Sequence, residues 1–288
     1  MLISERHGFL APFPRIPNSI KAKYSNNGLS LRLFGFFEDD LEIDFNQKVR
    51  PHLVTQILQC YTINKNGETP DLNFFWDLTI GKRIECLLTI VTLTLGSSSK
   101  LSVRLRCPSE TCQQQMEIEI SMDELASLQH QADDTDHFMI QIGDESLLIR
   151  RPTGRDQLEW LKRSFMDEDT AVKSMIRTLV LDNEKAVSNE EYPILDEWVQ
   201  TINETMEELD PLVNFSLSVP CPYCSREGHY EFNLEELSLH KLHEAQLNLL
   251  QTVHHLAFHY HWSEQQIFSL PPWRRSYYLA LIEKEGNR

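Results

Sequence analysis

Leu101-Ser-Val-Arg-Leu-Arg-Cys-Pro-Ser-Glu-Thr-Cys-Gln-Gln-Gln-Met-Glu-Ile-Glu-Ile120 is the stretch from which the fold can be read. Leu101, Val103 and Leu105 alternate with polar residues, the pattern of a strand with one buried face. Cys107-Pro-Ser-Glu-Thr-Cys112 then makes a turn, and Met116, Ile118 and Ile120 alternate out of it. The pattern returns further along the chain. Phe215, Leu217 and Val219 lead into Cys221-Pro-Tyr-Cys224, and Tyr230, Phe232 and Leu234 lead out. Both outgoing strands run into a Glu-Leu pair, Glu124-Leu125 and Glu236-Leu237. The chain therefore carries an imperfect internal repeat of strand, cysteine turn, strand and helix start.

Six cysteines in 288 residues are too few for a disulfide scaffold, and closely spaced pairs in a reducing compartment point to metal instead. A turn aims both of its sulfurs the same way, and four thiolates hold Zn²⁺ at roughly 2.3 Å in a closed tetrahedron. The predicted ligands are Cys107, Cys112, Cys221 and Cys224. A variant site built from the second unit alone would use His229, five residues beyond Cys224. A closed four-thiolate site leaves no position for water, so its role is structural. It would clip together segments 109 residues apart, Cys112 to Cys221. Structural zinc binds with apparent energies of ~10–16 kcal/mol, more than most whole domains have in stability. Cys60 and Cys86 read as small core hydrophobes. His255 and His259 stand four apart on one helical face, but Leu256 occupies the place of the general-base Glu in an HExxH motif. A zinc-dependent hydrolase on that face is the weaker alternative. No phosphate loop, dinucleotide fingerprint or nucleophile elbow occurs, and the expectation is a protein that is not an enzyme.

Helical spacing marks Ile84, Leu87, Leu88, Val91 and Leu95, then Val172, Met175, Ile176, Leu179 and Val180, then Leu195, Trp198, Val199, Ile202 and Met206. Thr153 stands at an N-cap with Asp156 three residues on. A long helix is predicted from about Leu237 to Tyr260, with Leu247, Leu250, Val253 and Ala257 inward. Ser263-Glu-Gln-Gln266 is a capping box with Trp262 placed to staple onto Ile267, and Pro271-Pro272 opens a final helix. The fold class is thus α+β: a zinc-knuckle β unit assembled from two repeats, helices around it, and a C-terminal helical hairpin. Residues 1–30, rich in Pro, Asn and Ser, read as an extended basic arm, 31–234 as the body, and 235–288 as the C-terminal helical region.

Charge narrows the partners. Lys and Arg number 27 against 43 Asp and Glu, a formal charge of -16. That disfavours nucleic acid and anionic membranes, and no apolar run is long enough to span a bilayer. The acidity is uneven: residues 1–30 hold Arg6, Arg15, Lys21 and Lys23 against only Glu5, whereas residues 182–210 hold ten acids and Lys185. Those acids read as solvated helix backs. No targeting signal is visible, which implies synthesis in the cytoplasm.

Further residues carry a resemblance. Val253-His-His-Leu-Ala-Phe-His-Tyr-His-Trp-Ser-Glu-Gln-Gln-Ile267 and Leu270-Pro-Pro-Trp-Arg-Arg-Ser-Tyr-Tyr-Leu279 resemble the closing signature of a baseplate hub and assembly protein family. That family belongs to T-even-like contractile phage tails and related contractile injection systems. Leu78-Thr-Ile-Gly-Lys-Arg-Ile-Glu-Cys-Leu-Leu88 is similar to its early helix, Arg150-Arg-Pro-Thr-Gly-Arg-Asp156 to its Pro-Thr-Gly-x-Asp helix start, and the cysteine turns to its paired knuckles. The resemblance covers about residues 70–285. One departure is the first knuckle, with four residues between its cysteines where the family usually has two. The resemblance implies a non-enzymatic structural or assembly component, present in many copies, that binds neighbouring baseplate and hub proteins in the virion tail or injection particle. A chaperone that leaves before completion is the alternative. Trp273, Arg274, Arg275, Tyr277 and Tyr278 are of types enriched at interface hot spots and are the expected partner contacts.

Overall fold

The computed structural model describes residues 10–24, 28–96, 100–122, 124–125, 128, 135–142, 145–181 and 194–286. The architecture is α+β, with helices around small antiparallel sheets. The chain opens with β1 (Leu10–Pro12), α1 (Asn18–Lys23), β2 (Ser30–Arg32), α2 (Arg50–Tyr61), β3 (Thr62–Ile63), α3 (Leu72–Asp77) and α4 (Ile80–Leu95). The hairpin of β4 (Lys100–Arg106) and β5 (Gln115–Ser121) carries the first cysteine turn. A plain hairpin follows, β6 (His137–Ile142) and β7 (Glu145–Arg150), then α5 (Gly154–Leu161), α6 (Glu168–Leu179) and α7 (Asp196–Leu209). The hairpin of β8 (Ser216–Pro220) and β9 (Glu227–Glu231) carries the second turn. Three helices close the chain: α8 (Leu234–Tyr260), α9 (Glu264–Phe268) and α10 (Pro272–Gly286).

The alternation in the sequence becomes register. Leu101 faces Ile120 and Leu105 faces Met116 across β4–β5, so each strand buries one side. Those side chains, with Phe215 and Phe232 from the second knuckle region, join the main core of Val54, Ile57, Phe74, Leu87 and Leu242. Burying a side chain of this size contributes about 1.5–3 kcal/mol, so the knuckles are bound to the helices as well as to each other. A satellite core packs β6–β7 against α6 and α7 through Ile140, Ile149, Ile176, Trp198 and Ile202. A third holds the C-terminal hairpin, with Trp262 packed against Val253, Leu256 and Ile267. Both parts of the Ser263–Gln266 capping box are present, as are both parts of that at Thr153–Asp156.

Two expectations are corrected. The N-terminal segment is not an extended arm over residues 10–24. Its strand β1 pairs with β2, Ile16 is buried, and Lys23 and Tyr24 both donate to Asp77, at 2.5 and 2.6 Å. Its cations are partly spent on the protein's own acids; Glu5 and Arg6 lie outside the described residues, as does 182–193 of the acidic stretch. The inner face of α8 also differs from the one that the spacing predicts. Leu247 and Leu250 are exposed, and the inward residues are Leu239, Leu242, Gln246, Val253 and Leu256.

Two polar knots hold distant segments together. In the aperiodic stretch after β2, the buried Asp40 carboxylate accepts from Arg32 (2.7 and 3.1 Å), from the Tyr61 hydroxyl (2.8 Å) and from the N–H groups of Gly35, Phe36 and Phe37. Gln246 of α8 donates to the carbonyls of Asp40, Leu41 and Ile43. The second knot joins the N-termini of α4 and α5: Ile80 N–H donates to Pro152 O (3.0 Å) and Gly154 N–H to Leu78 O (3.1 Å). Beneath them the fully buried Arg83 donates to the carbonyls of Phe75 and Pro51, both at 2.8 Å. Arg151 pairs with Asp210, both buried. A side chain at Gly154 would run into the Arg83 guanidinium, and one at Gly81 into the Asp210 carboxylate.

Candidate metal centre

The two cysteine turns meet. Cys107 Sγ lies 3.6 Å from Cys224 Sγ and Cys112 Sγ lies 3.8 Å from Cys221 Sγ, and all four sulfurs fall within 4.8 Å of one another. A tetrahedron with metal–sulfur bonds of roughly 2.3 Å has sulfur–sulfur edges of roughly 3.8 Å, so the donor set fits a four-coordinate thiophilic cation. The separations are far beyond a disulfide bond of about 2.05 Å. Cys107 and Cys221 are buried, Cys112 is half-buried and Cys224 exposed.

Measured from the second cysteine, the two turns are built alike despite their different spacers. The residue after it has a left-handed backbone, Gln113 (φ 48) and Ser225 (φ 59). The next carbonyl accepts from the first cysteine: Gln114 O from Cys107 N–H (2.9 Å), Arg226 O from Cys221 N–H (2.8 Å). The N–H of the left-handed residue reaches back four places, Gln113 to Ser109 O and Ser225 to Cys221 O. Ser109 thus holds the backbone place that Cys221 holds in the other turn. The first knuckle accommodates its two extra residues by moving its first cysteine two places upstream while keeping the turn.

The electrostatics favour a cation. The N–H of Ser109 draws the Cys107 thiol down, but burial and the thiols of Cys224, Cys221 and Cys112 outweigh it and push it up to about 12. Burial would raise Cys221 too; there the N–H groups of Tyr223 and Cys224 outweigh it and bring it down to about 7. The Cys221 thiolate is favoured, while Cys107 and Cys112, both raised, resist joining it until positive charge arrives. Tyr230 of β9 donates to Arg106 O at 3.1 Å, a direct tie between the hairpins beside the sulfurs.

The other sequence candidates are scattered. His229 sits on β9 beside Ser218, 3.5 Å from its hydroxyl, and is not part of the sulfur group. His255 and His259 are exposed on α8 and join no third ligand among the described residues. Cys86 is fully buried in the core and Cys60 half-buried against it, as read. Of the expected partner contacts, Trp273 (68% exposed), Tyr277 (63%) and Arg274 face outward. Tyr278 packs edge-on against Tyr260 and Trp262. Arg275 is corrected: only 2% exposed, it donates to Gly35 O at 2.7 Å and lies over the Phe268 ring, so it fastens α10 to the body. Phe258 of α8, 70% exposed, is a further outward aromatic that no motif marks. Its signal was the excess of apolar residues on α8 over what one face can bury.

Among the described residues no helix is long and apolar enough to cross a membrane. The family model for the T4 bacteriophage base plate protein matches residues 38–239, more than half of the chain and both cysteine turns. No curated protein and no solved structure matches it.

Proposed function

Because the chain belongs to the T4 bacteriophage base plate protein family, we propose that it is a structural or assembly component of a contractile tail baseplate whose two halves are clipped by one structural Zn²⁺. The observation that carries the clip is the convergence of four sulfurs, from turns more than a hundred residues apart, to within 4.8 Å of one another. Cys107, Cys112, Cys221 and Cys224 would hold the ion, which supplies charge to satisfy four thiolates and, being fully coordinated by protein, no reactive position. The chain's own work is to present surfaces. Trp273, Arg274 and Tyr277 on α10 are the contacts proposed for neighbouring baseplate and hub proteins, since aromatic and Arg side chains dominate interface energetics. The test is mass spectrometry of purified particles. The chain at fixed stoichiometry with other baseplate proteins is the expected result; its absence from finished particles, with presence in assembly intermediates, would select the chaperone reading.

A further inference from the structure

Two close sulfur contacts join different knuckles: Cys107 of the first lies 3.6 Å from Cys224 of the second, and Cys112 of the first lies 3.8 Å from Cys221 of the second. From this pairing we infer that the cluster is also a site of oxidative modification, in which an external disulfide converts the clip into cross-knuckle bridges. The inference rests on the four-sulfur clip of the proposed function, but it is read by a different observable.

Exposure sets the order of events. Cys224 is the exposed sulfur, and Cys107, 3.6 Å from it, is buried. The Cys224 thiolate attacks one sulfur of a small disulfide RS–SR. That S–S bond breaks, a Cys224–SR bond forms and one RS⁻ leaves. The Cys107 thiol, passing its proton to the departing sulfur, then attacks Cys224 Sγ, expelling the second RSH and forming Cys107–Cys224. Two cysteine sulfurs are oxidised and the external disulfide is reduced to two thiols. The sulfurs need to approach by roughly 1.5 Å to reach bonding distance. Cys112 and Cys221 can repeat the exchange with a second disulfide. Any bound metal loses ligands as the first bridge forms, since a disulfide sulfur is no longer a thiolate donor.

A bridge across the knuckles keeps the same two segments covalently joined after the metal has gone, whereas a bridge within either knuckle adds no bond between them. The same junction is thereby held by metal under reducing conditions and by a covalent bond under oxidising ones. The geometry argues for this outcome because the contacts at 3.6 and 3.8 Å both cross from one knuckle to the other.

The experiment is stepwise oxidation of the purified full-length chain with glutathione disulfide, followed by metal release and non-reducing peptide mass spectrometry. Metal content before oxidation reads the clip. The bridge map after oxidation reads the inference, whether or not metal was present. The expected map is Cys107–Cys224 first and Cys112–Cys221 second, with loss of two hydrogens per bridge and release of any metal at the first. Dominant Cys107–Cys112 or Cys221–Cys224 bridges would overturn it, as would Cys224 remaining a stable glutathione adduct in the unmodified sequence. In Cys107→Ser the adduct at Cys224 should persist, because the resolving thiol is gone; equally rapid loss of that adduct would count against the assignment.

Discussion

Two junctions in this molecule join segments distant in sequence, and they use opposite chemistry. At the knuckles, four sulfurs converge from two hairpins. At the meeting of α4 and α5, three arginines, two aspartates and two glycines lock the helix starts to the end of α7. Under the proposed clip the first junction would depend on one ion and is expected to fail as a unit when that ion is lost. The second is spread over many bonds, and each can be lost separately. Metal binding is folding free energy concentrated at a point, whereas each buried ion pair fails on its own when one partner is removed and the other charge is left uncompensated.

The largest effect should come from the sulfur junction. Cys221→Ser or removal of metal by a chelator is expected to abolish the cooperative unfolding transition of the hairpin region, because the lost binding energy of ~10–16 kcal/mol exceeds ordinary domain stability. Calorimetry with and without chelator checks it, and an unchanged transition would mean that the helices alone hold the hairpins. Next in size is Asp210→Ala. It strands the buried Arg151 guanidinium and should cost about 3–5 kcal/mol by denaturant titration. Gly81→Ala tests the same place from the opposite side, overpacking it against Asp210 for about 1–3 kcal/mol.

Acid should distinguish the two junctions further. Burial alone would raise the Asp156 carboxyl, but the bonds from Arg150 and from Thr153 outweigh it and hold it below the usual carboxylate range. A lowered folded value means that this stability is present above the unfolded value of about 3.9 and is lost as pH falls through the folded one. Asp156→Asn should therefore lower the melting temperature at neutral pH and flatten its fall in acid. Glu235 has the opposite sign. Burial raises its carboxyl despite Arg83, so its protonated form suits the fold and stability declines as pH rises through the raised value. Glu235→Gln is expected to raise the melting temperature at pH values above the raised one and to change little in acid.

The smallest effect compares the knuckles with each other. Gln113 and Ser225 both bear the left-handed conformation that glycine adopts without strain. Gln113→Gly and Ser225→Gly should each stabilise by about 0.5–1 kcal/mol, and by similar amounts if the turns are equivalent. A gain at Ser225 alone would show that the longer spacer relieves the first turn in another way.

The difference in chemistry also explains what the sequence could reveal. Cysteine spacing and strand alternation are local, so the knuckles, their hairpins and the caps at Thr153 and Ser263 were legible. The zinc reading needed only that two local patterns be the same. Arg83, Gly81 and Gly154 carry no such local mark. Their meaning lies in which residue stands opposite, and Asp210 is far along the chain from Gly81. The stretch around Asp40 was opaque for the same reason: its order comes from bonds to Arg32, Tyr61 and Gln246 and not from a hydrophobic period. On α8, periodicity gave the helix but not its inner face, because apolar residues occur on more sides than the core covers.

The claim at the centre is that four sulfurs from two distant turns share one ion. X-ray absorption at the zinc edge of the purified chain tests it most directly. Four sulfur scatterers at roughly 2.3 Å are predicted. Two sulfurs with nitrogen or oxygen neighbours, as in a site built on the second turn with His229, would contradict it.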